Sequence, residues 1–244
     1  MTAGGYSVSE SIKLVKQYVS TTQKITLIDK TGHGGDIPDH AFMFQYMPFI
    51  ILSILCYVLS YIMISFGNPD VKKRMLCSCI PARSISFQLI LGHIVIGLGV
   101  WLISIIFPII LYGKEVLNDP HLPYYLLNSF LMMLVSLSIA FLISSFPIKE
   151  EIINGIVNTI SLGMSFICGV FVSMDILGKG IKTVAHFLPV YWYEIVNNTL
   201  AYNASLTTFQ MQTLLQGYGI QLLFAAAFFC VAMVFRKNRA IGQG

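Results

Sequence analysis

Charge is scarce in this 244-residue chain: 15 Lys and Arg and 11 Asp and Glu make up 11% of it, against about 25% in soluble domains. The charges fall in clusters at 10–39, 70–83, 114–119, 149–151, 175–194 and 236–239. Five charge-free runs remain, at 40–69, 84–113, 120–148, 152–174 and 195–235. Each run exceeds the roughly 18 residues that mark a candidate membrane span. A soluble fold with this pattern would expose large apolar patches. The apolar content of 56% excludes disorder. Polar–apolar alternation is missing too. Ile50-Ile51-Leu52-Ser53-Ile54-Leu55 and Phe224-Ala225-Ala226-Ala227-Phe228-Phe229 do not fit the alternating strands of a membrane β-barrel.

Other absences narrow the function. No Asp, Glu, Lys or Arg lies within a span, which argues against a proton-coupled pump or a voltage sensor. No phosphate-cradling glycine loop ending in Lys-Ser or Lys-Thr is present, so no cofactor, ATP and Mg included, is expected on this chain. His33, His40, His93, His121 and His186 show no ligand spacing, and the Cys77-Ser78-Cys79 pair has no second ligand pair, so no metal site is expected. Cys56, Cys168 and Cys230 are expected to serve as small apolar residues in spans. No catalytic residue emerges: Glu150-Glu151 lacks a nearby Arg, and Gly163-Met164-Ser165 lacks a His, so an intramembrane protease is a weak alternative. Nothing points to nucleic acid. Asn197-Asn198-Thr199 and Asn203-Ala204-Ser205 match the glycosylation sequon, read here as chance.

What is present is an all-α polytopic membrane protein. Five transmembrane helices are expected near 44–66, 86–112, 124–146, 152–173 and 212–235. An N-terminal extracellular segment, 1–43, precedes the 44–240 membrane domain. Within that segment Ile12, Val15 and Val19 follow helical spacing, and 24–28 reads as a short strand. With the N-terminus outside, the inner loops hold eight cations (Lys72, Lys73, Arg74, Arg83, Lys149, Arg236, Lys237, Arg239) and the short outer loops three (Lys114, Lys179, Lys182). The positive-inside rule therefore expects N outside and C cytoplasmic in the cell membrane. An exported 1–43 without a signal peptide is most simply read as the remnant of an external domain whose preceding span is absent.

Three stretches carry functional expectations. In the first, Asn68 is an N-cap residue, Pro69 fits the first helical position and Asp70 suits the positive end of a helix. A short helix stopped by Pro81 follows, presenting Lys72, Lys73 and Arg74 beside Val71, Met75 and Leu76, with Arg83 just beyond. Such a surface suits a protein partner or anionic lipid headgroups. In the second, Asn154, Asn158, Ser161 and Ser165 share one face of the fourth span, beside a small-residue ridge of Gly155, Thr159 and Gly163, while His93 makes a smaller polar spot on the second span. This face could pack within one subunit or line an interface or transport path. In the third, 174–194, Leu177, Ile181, Val184, Phe187 and Leu188 form an apolar stripe. Pro189 breaks the helix, and Tyr191-Trp192-Tyr193 reads as an interfacial aromatic belt.

The order of these parts resembles the ATP-binding-cassette type-2 permease family. The similarity lies in Lys73-Arg74-Met75-Leu76-Cys77-Ser78 and Pro81-Ala82-Arg83-Ser84, and in an outer segment carrying Asp175, Pro189, Trp192 and Glu194 before the last span. The resemblance covers about 44–240 and implies several things. The basic helix (Asp70, Lys72, Lys73, Arg74, Arg83) docks on a separate cytoplasmic ATPase, which binds the ATP and Mg. The outer segment is a re-entrant hairpin, and two permease subunits pair. The expectation is an exporter subunit for an amphipathic cargo. The alternative is a non-transport membrane protein of the same fold, an immunity factor or sensor.

Overall fold

The computed structural model describes residue 12 and residues 37–78, 81–146, 149–203 and 205–241. The chain divides into two units, Met1–Gly34 and Gly35–Gly244, and every element below belongs to the second. The helix and strand expected within 1–43 lie outside the described residues.

The described residues form helices α1 (Asp39–Gly67), α2 (Pro69–Cys77), α3 (Ala82–Tyr112), α4 (Lys114–Leu117), α5 (Leu122–Ser144), α6 (Glu150–Ile167), α7 (Lys179–Ala185), α8 (Pro189–Tyr202) and α9 (Thr208–Ile241). Among the described residues four segments are long and apolar enough to cross a membrane: Asp39–Gly67, Phe87–Tyr112, Leu122–Ser144 and Thr208–Phe235. The expected span over 152–173 does not join them. Helix α6 has 18 residues, begins with Glu150 and Glu151, and stops at Ile167. Gly169 follows at φ 101°, with a Cβ position 2.6 Å from the Met174 side chain. Only glycine accepts that turn without strain. The Gln45 amide of α1 clamps it, donating to the carbonyls of Gly169 and Val170, each at 3.1 Å.

Helix α5 is the centre of the bundle. In its most apolar stretch 67% of residues are buried, against 33% for α1 and 17% for the α3 and α9 spans. Helices α1, α3, α8 and α9 all pack on it. Helix α1 presents Phe44, Met47, Ile51, Leu55 and Leu59 inward at helical spacing, while Tyr46, Ile50, Ile54 and Val58 are exposed. Both faces are apolar, as expected of a helix with protein on one side and lipid on the other.

Helix α8 closes one end of the bundle. The aromatic belt expected at 191–193 is not formed: Tyr193 is fully buried, and its hydroxyl donates to the Phe44 carbonyl at 2.6 Å. Pro189 does not end a helix but starts α8, where a missing N–H costs nothing. The stripe of Ile181, Val184 and Phe187 is exposed. The end is stapled by the loop after α4. His40 pairs with Asp119 at 2.6 Å, Asp119 accepts from the His121 N–H at 2.7 Å, and His121 Nε2 meets the Asn203 carbonyl at 2.9 Å.

Close packing of α8 on α9 depends on Gly217. A Cβ there would sit 2.4 Å from Val196 Cγ2 and 3.3 Å from the Trp192 carbonyl. Valine is stiff at χ1, so Gly217→Ala should destabilise the fold by about 1–3 kcal/mol. Gly97→Ala meets only the end of Leu137, and should cost less. Thermal unfolding of the two purified variants compares them.

Candidate functional site

The basic helix α2 forms from its own local code. The Asn68 side chain accepts from the Asp70 N–H at 3.0 Å, with Pro69 in the first turn. The helix ends at Cys77, short of the expected stop. Ser78 closes it, its N–H and hydroxyl reaching the Met75 carbonyl at 3.2 and 2.7 Å. Pro81 instead stands at the start of α3. Asp70, Lys73 and Arg74 are exposed. Lys73 and Asp70 approach to 4.0 Å in the open, which contributes little to stability and leaves the charges available. The side chains of Lys72 and Arg83 lie outside the described residues.

Beneath α2 is a groove of about 410 Å³ bounded by α1, α2 and α3, lined by Ile62, Phe66, Met75, Gln88, Leu89 and His93 among others. His93 is buried, and its Nδ1 lies 2.5 Å from the Leu89 carbonyl. A carbonyl only accepts, so Nδ1 carries the proton, and Nε2, which has no partner, is an acceptor in the neutral ring. His93 is thus remote in role from the polar face of α6 with which the sequence grouped it.

That face itself divides. Ser161 and Ser165 are buried and satisfied within their own helix, donating to the Val157 and Ser161 carbonyls at 2.7 Å each. Asn154 and Asn158 are exposed and accept from tyrosines of α1: Tyr61 to Asn154 at 3.4 Å and Tyr57 to Asn158 at 3.1 Å. Tyr57 and Tyr61 stand one turn apart on α1, and sequence reasoning passed over them. Their i, i+4 spacing was the available signal. Gly155 and Gly163 have open space where a Cβ would sit.

At the opposite end, Asp175 is exposed, Trp192 is half-buried with its indole N–H donating to the His186 carbonyl at 3.0 Å, and Glu194 is completely buried. Both carboxyl oxygens of Glu194 lack a hydrogen-bond partner. Burial pushes its carboxyl well above the usual carboxylate range. Asn128 Nδ2 donates to the neighbouring Tyr193 carbonyl at 3.1 Å, and Gln221 Nε2 donates to Asn128 Oδ1 at 2.9 Å. Asn128 and Gln221 went unremarked in the sequence, although amides inside charge-free runs were a visible signal. Asn197 of the first sequon is buried too, so this fold hides it from glycosylation. Among the described residues no cluster of His, Cys, Asp and Glu could hold a metal ion.

Residues 6–234 match the family described as ABC-2 family transporter protein. No curated protein and no solved structure matches the chain.

Proposed function

Since the chain belongs to the ABC-2 family of transporter proteins, a family of multi-pass membrane components, we propose that it is the permease subunit of an ATP-driven exporter. In this reading a separate cytoplasmic ATPase binds ATP and Mg, closes on them, and pushes α2. Asp70, Lys72, Lys73, Arg74 and Arg83 form the docking surface, and α2 passes the motion to α1 and α3, with which it shares the groove. Helix α6 serves as a fifth crossing, about 27 Å long at 1.5 Å per residue. The α7–α8 hairpin, with Asp175, Pro189, Trp192 and Glu194, is a re-entrant cap on the outer side.

The observation that carries the reading is the polar row of exposed Asn154 and Asn158 with half-buried Tyr57 and Tyr61. Hydroxyls and amides at membrane depth are poorly accommodated by lipid tails. They belong against another helix or a water-filled path. The bare Gly155 and Gly163 ridge beside them lets a second permease approach closely. A pair of subunits facing each other across this row would place an amphipathic cargo path between them, with Ser161 and Ser165 behind it as packing.

Two measurements test the proposal. The chain should co-purify with an ATPase whose turnover changes with cargo, and Lys72, Lys73 and Arg74 replaced together by Ala should abolish that response by tenfold or more, about 1.4 kcal/mol of coupling. Replacing Asn154 and Asn158 by Leu should alter the subunit pairing seen by crosslinking from a cysteine placed at the exposed Leu162, one turn further along. An ATPase that never associates, with triple-Ala protein behaving as wild type, would defeat the assignment.

A further inference from the structure

The least explained group in the molecule is Glu194. It is completely buried in α8, and neither oxygen has a partner. Five more buried polar atoms among the described residues are equally bare, and three of them are Asn197 Oδ1 one turn along the same helix, Tyr125 Oη and Gln221 Oε1. Two of these three are acceptors only, so what the region lacks is donors. An ionised carboxylate in such surroundings is strongly disfavoured.

Among the described residues no cation pairs with it. Helices α1, α5, α6 and α9 pack on α8, and their ionisable groups can be followed one by one. Helix α5 offers only Tyr124 and Tyr125, and α9 offers Tyr218 and then Cys230 before Arg236, Lys237 and Arg239 at its other end. Helix α6 carries Glu150 and Glu151 at its far end, with Cys168 just beyond it, close enough to feel the Glu194 charge. Helix α1 brings Asp39, His40, Tyr46, Cys56, Tyr57 and Tyr61, and His40 is taken by Asp119. On α8 itself there are Tyr191, Tyr193 and Tyr202, and His186 just before it meets the Tyr191 hydroxyl at 3.0 Å. Lys or Arg faces Glu194 from none of these elements.

We propose that Glu194 is a proton-binding site whose occupancy holds α8 in its packed position. The packed bundle accepts only the neutral acid. When α8 separates and water reaches it, the O–H bond breaks, the proton passes to that water, and the carboxylate is solvated. The sign follows from the higher proton affinity of the packed state. Packing is favoured at low pH, where the acid is protonated in both states, and weakens as pH rises through the raised packed-state range. Opening of this end of the bundle is thereby tied to proton release. The inference rests on the surroundings of Glu194 alone and stands apart from any ATPase partner.

Cys168 supplies an internal reporter, being fully buried and beside Glu194. The full chain in lipid nanodiscs is alkylated with N-ethylmaleimide, and modification of Cys168 is read by peptide mass spectrometry, wild type against Glu194→Gln. The thiol titrates in both proteins, so the ratio of rates isolates Glu194. That ratio should climb by about tenfold or more as the pH is raised from the ordinary carboxylate range into the alkaline range. A charge on Glu194 would by itself make Cys168 less reactive, so a climb in the ratio reflects opening rather than electrostatics. A ratio flat with pH overturns the proposal. Should Glu194→Gln fail to fold, the wild type decides by infrared spectroscopy and hydrogen exchange. A neutral carboxyl band should persist at neutral pH and fade as the α8 amides begin to exchange at higher pH. A band absent at neutral pH, or fading with no change in α8 exchange, overturns it equally.

Discussion

Tyr193→Ala should lower stability by about 3–5 kcal/mol, the range for deleting a buried aromatic ring. Tyr193 is among the largest fully buried side chains. Its hydroxyl binds the Phe44 carbonyl in α1, and its own carbonyl receives the Asn128 amide from α5. One residue therefore ties α8 to two of the helices beneath it. Tyr193→Phe keeps the ring and loses the hydroxyl, so it should cost only about 1 kcal/mol. Denaturant unfolding of both variants in detergent gives the comparison. Equal losses would mean that the hydrogen bond, not the ring, dominates, contrary to the packing argument.

Asp119→Ala is the second large change, at about 3–5 kcal/mol. Asp119 and His40 are nearly enclosed, with side-chain exposures of 10% and 6%. Removing the carboxylate strands His40 and also frees the His121 N–H. Because His121 reaches Asn203 at the end of α8, the loss should spread to the cap: hydrogen exchange should rise in α8 before it rises in α5. His40→Ala and the double variant complete a mutant cycle. A coupling energy near zero would show that the two side chains act independently.

How far the chain could be read without its structure differs from element to element. The crossings at Asp39–Gly67, Phe87–Tyr112, Leu122–Ser144 and Thr208–Phe235 were legible because length and hydropathy are local sums. The start of α2 was legible because Asn68, Pro69 and Asp70 are a local cap. Its end was not, since Ser78 closed the helix ahead of Pro81. The 152–173 reading ran past the glycine turn at 169, whose left-handed backbone is set by α1 through Gln45. The single-face reading of Asn154, Asn158, Ser161 and Ser165 split because helical spacing defines a face but not how far along it the neighbours extend. The aromatic belt at 191–193 failed because Tyr and Trp serve both as interfacial anchors and as core residues with one satisfied polar atom.

The sequence by itself determined that the chain lives in a membrane, where most of it crosses, and where a basic helix starts. Those facts follow from transfer free energies and capping bonds between near neighbours. Only the tertiary structure decided which side of each crossing faces protein, that Asn154 and Asn158 look outward while Ser161 and Ser165 do not, and that Glu194 is enclosed without a partner. The reason is that lipid and protein interior are alike in polarity. An apolar helix therefore carries no inward mark of its own, and its orientation is settled by shape and by scattered polar contacts such as Tyr193 to Phe44 that join residues far apart in the chain.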